Sequence, residues 1–186
     1  IFLPGIGPIA VAGQPFLDLK ETIQQIITNQ MIGTKVSVTM GKLRPMDIFV
    51  LGEAYQPGMY TVSSLTTLTN AIFKSGGVNV TGSLRDIQLK RNGKIISTFD
   101  FYDLLLEGDT SKDTGLMQGD VVFIPPITKT VGIAGEVGRP GIYELKQDET
   151  LEDLIKFAGN LKPKADLFSA NLQRINTDPS SNGFNL

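Results

Sequence analysis

Apolar residues along this chain follow two rhythms, and the first is helical. In DLKETIQQIITNQ (18–30), Leu19, Ile23, Ile26 and Ile27 recur at spacings of three and four, which puts them on one face of a helix. Asp18 is expected to cap it, with Glu21 three residues on as in a capping box. Ahead of it, residues 1–13 read as short extended pieces broken by Pro4-Gly5 and Gly7-Pro8. Behind it, KVSVTM (35–40) alternates like a half-buried strand, and Leu43-Arg44-Pro45 marks a boundary.

From Asp47 the rhythm changes. IFVLG (48–52) predicts a short buried strand and GMYTV (58–62) a second, with Pro57-Gly58 supplying the turn between them. TTLTNAIFKSGG predicts a short helix: Thr66 or Thr67 caps it, Leu68, Ala71 and Ile72 face inward, and Gly76-Gly77 stops it. DIQLKRNGKIISTF predicts a hairpin, because Asn92-Gly93 suits a type I′ turn in which both central residues take positive φ. Asp100 is expected to cap FYDLLLEG, ended by Gly108, and GDVVFIPP predicts a last buried strand. This order defines an α+β domain in which one helix lies across a mixed sheet.

The second half of the chain restates the first. At an offset of 83 and without a gap, residues 50–91 and 133–174 share twelve identities. VLGEAYQPGMY (50–60) returns as IAGEVGRPGIY (133–143), and Thr67-Leu68, Ile72 and Gly76 return as Thr150-Leu151, Ile155 and Gly159. The matches fall on turn, cap, core and helix-stop positions, so the repeated object is a fold. The second copy stops before a counterpart of GDVVFIPP, and the chain is expected to be part of a longer protein.

Composition removes several chemistries. With no Cys and no His, the chain cannot form a zinc site of the usual N/S type, a Cys nucleophile or a Ser-His-Asp triad. A net charge of −2 gives no general attraction for nucleic acid. No stretch approaches the roughly 20 apolar residues of a membrane-spanning helix. The adjacent Glu152-Asp153 fall in a first helical turn, where negative charge suits the dipole. Asp109 and Asp113 could hold Ca²⁺ loosely, and the hairpin-tip cations Lys90, Arg91 and Lys94 could touch an acidic polymer, but a solvated loop and a solvated tip are the default readings. No enzyme chemistry and no cofactor are expected.

The motifs VLGEAYQPGMY, LTNAIFKSGGV, IQLKRNGK and LMQGDVVFIPP resemble the soluble-ligand-binding β-grasp (SLBB) module, and IAGEVGRPGIY with LEDLIKFAGNL repeats the likeness. The tandem arrangement behind FLPGIGPIAVAG and its helix is similar to the outer-membrane polysaccharide export proteins. The resemblance implies three parts: residues 1–44 as the C-terminal part of an α/β export domain, 47–126 as a first β-grasp domain, and 130–186 as a truncated second one. It implies a non-catalytic conduit and assembly segment at the periplasmic face of the outer membrane. Its implied partners are a capsular or exopolysaccharide chain, an inner-membrane polysaccharide co-polymerase, and further copies of itself in a ring. Modules of this type also occur in proteins that handle cobalamin or other solutes, and within a respiratory dehydrogenase, so a small-ligand module or an enzyme accessory domain is the alternative.

Two sets of residues are candidate sites. Glu53 and Glu136 could present carboxylates to sugar hydroxyls, or could bond within their own Pro-Gly turns; Tyr60 and Tyr143 could stack on a sugar ring, or could belong to the core. The second set comes from charge. Residues 54–73 carry none, whereas 137–156 include Arg139, Glu144, Lys146, Glu149 and four more charged residues. Interface cores are depleted of charge. The face carrying Thr61, Ser63, Thr66, Thr69 and Asn70 is therefore expected to pack against a neighbouring domain or subunit, and its charged counterpart in copy two to remain free.

Overall fold

The computed structural model describes residues 1–3, 5–11, 15–31, 36–39, 41–166 and 170–173. The chain divides into two compact units, Ile1–Arg44 and Pro45–Leu186. In the first, β1 (Phe2–Leu3) and β2 (Gly7–Pro8) pair antiparallel, and α1 spans Phe16–Gln30. Ile23 and Ile27 are buried, with Leu19 and Ile26 half-buried, as the spacing predicts.

Two expectations fail in this unit. Asp18 lies inside the first turn rather than before it. Pro15 holds the N-cap position, so no side chain caps the helix there. Proline offers no side-chain acceptor to the first-turn amides, although its fixed φ suits the start of a helix. Val36–Thr39 alternate in burial but pair with no strand among the described residues, and Lys35 and Met40 lie outside them. Alternation reports which way side chains point, not whether a hydrogen-bonding neighbour exists.

The second unit opens with the first copy of the repeat. Its strands β3 (Pro45–Gly52), β4 (Gly58–Ser63), β5 (Ile87–Arg91), β6 (Lys94–Phe99) and β7 (Val121–Ile124) form one sheet in the order β4-β3-β7-β5-β6. β3 and β7 run parallel and the other pairings are antiparallel. The sheet's inward residues, among them Ile48, Val50, Leu89 and Val122, share one core with Leu68, Ala71 and Ile72 of α2 (Leu68–Lys74). A helix whose apolar face closes over a mixed sheet is the α+β arrangement that the alternation of periods requires.

Local chemistry sets the element ends. Thr67 caps α2 by accepting from the Asn70 amide, and Gly76 and Gly77 terminate it at φ +85° and +96°. Asn92 and Gly93 turn the β5–β6 hairpin with φ of +50° and +75°. Asp100 accepts from the Tyr102 amide at the start of a short helical piece that widens into a π turn at Asp103–Glu107 and ends at Gly108. Gly52 is compelled twice over: its φ is +81°, and a Cβ there would stand 2.1 Å from the Ile124 carbonyl oxygen of β7.

The hairpin, turn and helix of the second copy repeat this backbone. β8 (Thr130–Ile133) and β9 (Gly141–Glu144) pair Thr130 with Glu144 and Ile133 with Gly141, which is the β3–β4 register moved by 83 residues. Helix α3 (Leu151–Phe157) stands at the same offset from α2, and Thr150 and Asp153 complete a capping box. Tyr55 and Gln56 donate to the Gly77 and Ser75 carbonyls in copy one; Gly138 and Arg139 donate to Asn160 and Ala158 in copy two.

Candidate functional site

A cleft of about 640 Å³ in the second unit lies between the two copies. Arg85, Asp86 and Thr98 form its copy-one wall. Thr128 and Lys129 come from the connecting segment, and Glu144 to Gln147 from the end of β9 and the turn beyond it. Its floor is a charge cluster that also docks one copy on the other.

Arg85 is the centre of that cluster. It is 6% exposed, and it donates from Nε and Nη2 to Asp100, from Nη1 to Glu149 at 2.6 Å, and from Nη1 to the Glu144 carbonyl. Its guanidinium lies 4.6 Å from the Tyr102 ring centroid and 4.8 Å from that of Phe157 in α3. A planar, weakly hydrated cation can use its edge for carboxylates and its faces for rings at the same time, which a lysine cannot. Glu144 reaches back to copy one, accepting from the Ser83 hydroxyl at 2.6 Å and the Leu84 amide at 2.9 Å. Its own amide donates to the Tyr102 hydroxyl, and Lys146 donates to Asp100.

Burial opposes the charge on Arg85, yet its bonds to Asp100 and Glu149 outweigh that penalty and hold its pKa above the ordinary value. Asp100 shows the converse balance. Desolvation favours its protonated form, but Arg85, Lys146 and the Tyr102 amide together pull its carboxyl below the usual range. Tyr102 is pushed upward, chiefly by burial. The two cations Arg85 and Lys146 face three carboxylates at the joint, and each carboxylate has its own donors. That is the condition under which buried charge can be tolerated.

The candidate residues read from the sequence lie elsewhere. Tyr60 donates its hydroxyl to the Gln56 carbonyl at 2.6 Å, and Tyr143 donates to that of Arg139 at 2.7 Å. Each tyrosine thus ties the strand after the Pro-Gly turn to the residue before it. This is a physical reason for the constant Pro-Gly-x-Tyr spacing. Glu53 accepts from the Thr81 hydroxyl, outside its own turn, whereas Glu136 is exposed. None of these four lines the cleft.

The five residues of the uncharged face are dispersed. Thr61 donates to Asp47, and Ser63 accepts from the Leu65 amide. Thr66 accepts from Leu116 through its carbonyl, and Asn70 is exposed. Thr69 is 8% exposed, and its amide donates to Asp113. The expectation that the charged counterpart stays free fails at Glu144, Lys146 and Glu149, while Glu152 is exposed and pairs with Lys156 of its own helix. Glu144, the equivalent of Thr61, is buried, and with Lys146 and Glu149 it forms the joint with copy one. Complementary charge can enter an interface when every group is paired, so absence of charge was an incomplete guide. Arg91 is a second correction: it makes a bidentate pair with the fully buried Asp120 and is no free hairpin cation.

Arg85, Asp100 and Tyr102 carried no sequence signal as a site, since the repeat offset gives Arg85 a different partner residue, Phe168, in copy two. The charge excess of 137–156 was the available signal, and its meaning depended on knowing what lay opposite.

Fold and joint together define a tandem β-grasp protein. SLBB domain family descriptions match residues 46–124 and 130–184, together more than half of the sequence. The chain belongs to the SLBB domain family. It is 30% identical over 152 residues to the Escherichia coli polysialic acid transport protein KpsD, covering 79% of this chain and 26% of that protein. It is also 30% identical over 169 residues to the EPS I polysaccharide export outer membrane protein EpsA of Ralstonia solanacearum, covering 88% of this chain and 44% of that one. The chain therefore spans less than half the length of these relatives. Among the described residues, no helix is long and apolar enough to cross a membrane.

Proposed function

We propose that this chain is a non-catalytic segment of a polysaccharide exporter, standing at the periplasmic face of the outer membrane. The observation that carries the reading is its likeness to a polysaccharide transport protein and a polysaccharide export protein over 79% and 88% of its length. Residues 1–44 are read as the end of an export domain, and the domains behind it as a stack that sets the spacing of the assembly. The partners are the polysaccharide chain, an inner-membrane co-polymerase and further copies of the same protein in a ring. The joint at Arg85 supports this role, because a segment that transmits position between assemblies needs a fixed angle between its domains.

Deleting the gene for the full-length protein in its native host should abolish surface polysaccharide while polymer accumulates inside the cell. A plasmid copy should restore export. Surface polymer at the normal level in the deletion strain would overturn the reading.

A further inference from the structure

Ligand pockets of about 300–1,000 Å³ are lined predominantly by apolar and aromatic side chains. The interdomain cleft has that size; apolar atoms form the larger part of its lining surface, but its side chains are of a different kind. Leu145 is its one apolar residue, and no aromatic ring faces it. The rim offers hydroxyls from Thr98 and Thr128, the amide of Gln147, the carboxylate of Asp86 and the ammonium of Lys129, all exposed. Asp86 engages one oxygen with Gln88. The side chains of Thr98, Thr128, Lys129 and Gln147 make no hydrogen bond or ion pair to another described residue. Donors and acceptors thus stand together on the rim, above a floor in which Arg85 and Glu144 are each held by several bonds.

Such a lining suits a ligand whose own groups both donate and accept. Hydroxyls do this, while aliphatic chains do not. The charges choose further. Arg85, Lys129 and Lys146 are countered by Asp86, Glu144, Asp100 and Glu149, so the cleft has no positive excess to draw in a polyanion.

We propose that the cleft between the two SLBB domains binds uncharged hexose units of a glycan, through Asp86, Thr98, Thr128, Lys129 and Gln147. The inference rests on the export reading for its biological ligand, but it assigns a site that the tyrosine and glutamate candidates do not. A site on a transport path must bind well enough to admit the chain and weakly enough to release it, which places the dissociation constant on the order of 1 mM.

The test is a nuclear magnetic resonance titration of the 15N-labelled 186-residue chain with maltotriose, cellotriose and trigalacturonate. Saturable shifts are expected at the amides of Asp86, Thr98, Lys129 and Gln147 with at least one neutral trisaccharide. Trigalacturonate should bind roughly tenfold more weakly, the equivalent of one or two lost hydrogen bonds. Thr128→Trp and, separately, Thr98→Trp should fill the cleft and remove the response. Each variant is accepted as folded when its remaining spectrum is unchanged. No shift with either neutral sugar, stronger binding of trigalacturonate, or an undiminished response in a folded filled variant would each overturn the proposal. If the sugars fail while gene deletion still abolishes export, only the cleft assignment falls. If they bind and export survives the deletion, only the export reading falls.

Discussion

The two copies share a backbone and differ in what surrounds it. Leu68 and Leu151 are the same residue at the same place in the repeat, yet one is fully buried and the other 51% exposed. In copy one, the segment through Thr114 and Leu116 closes over the start of α2, with Leu68 donating to the Thr114 carbonyl and Leu116 to that of Thr66. No described element does this for α3. Gly52 and Gly135 both take positive φ, but only at Gly52 would a Cβ meet another strand. The comparison separates two kinds of information. Turn, cap and stop residues reproduce the path of the chain, whereas burial depends on neighbours that the repeat does not copy. Copy two consequently relies on copy one, through a contact that joins paired charges to aromatic rings.

Breaking that contact should have the largest effect. Arg85→Ala leaves Glu149 without its cation and Asp100 with Lys146 alone in a buried joint, at an expected cost of about 3–5 kcal/mol. α3 and the β8–β9 hairpin should then lose hydrogen-exchange protection before the copy-one sheet does. Lys146→Ala removes a cation that is 46% exposed, and it should cost less than about 1 kcal/mol. Equal protection of both copies in Arg85→Ala would show that copy two stands alone. Acid should act in the same direction. The Asp100 pKa is depressed by folding, so its ionisation contributes stability fully above about pH 4, the ordinary carboxylate value, and that contribution is lost as pH falls through the lower folded value.

The two leucines give a sharper contrast of smaller size. Leu68→Ala removes a fully buried side chain from the copy-one core and should cost about 2–5 kcal/mol. Leu151→Ala should change stability by less than about 0.5 kcal/mol, as surface substitutions usually do. Denaturant unfolding of the two variants measures both. Similar losses would mean that α3 is covered in solution to the same degree as α2.

Much of this fold was legible because its signals are local. Asn92-Gly93, Thr67 and Gly76-Gly77 each do what their conformational preferences require, and the offset of 83 carried the reading from one copy to the other. Asp18 misled, since a capping residue and a first-turn acid look alike in sequence and Pro15 decided between them. The joint was illegible for a different reason. Arg85, Asp100 and Glu149 are separated by 15 and 49 residues, and nothing local tells a paired arginine from a solvated one. The charges of copy two were visible, but their partners lay in positions with no repeat equivalent. The cleft follows from the joint, and it was hidden with it.

The tyrosines give the smallest effect and the most direct measure of equivalence. Tyr60→Phe and Tyr143→Phe each delete one hydroxyl that donates to the carbonyl four residues earlier, and leave the ring in place. A net hydrogen bond of this kind is worth about 0.5–1.5 kcal/mol. The surroundings of the two rings differ, since Tyr143 also meets the edge of Tyr102 at the joint, with ring centroids 6.4 Å apart. Phenylalanine preserves that contact, so the differing surroundings should cancel and the two losses should agree to within a few tenths of a kcal/mol. Urea unfolding followed at the sheet for Tyr60→Phe, and hydrogen exchange of the β8–β9 hairpin for Tyr143→Phe, read each loss where it falls. A loss at Tyr60 with none at Tyr143 would mean that the second turn holds its shape by docking alone. The repeated Pro-Gly-x-Tyr spacing would then need another cause in copy two.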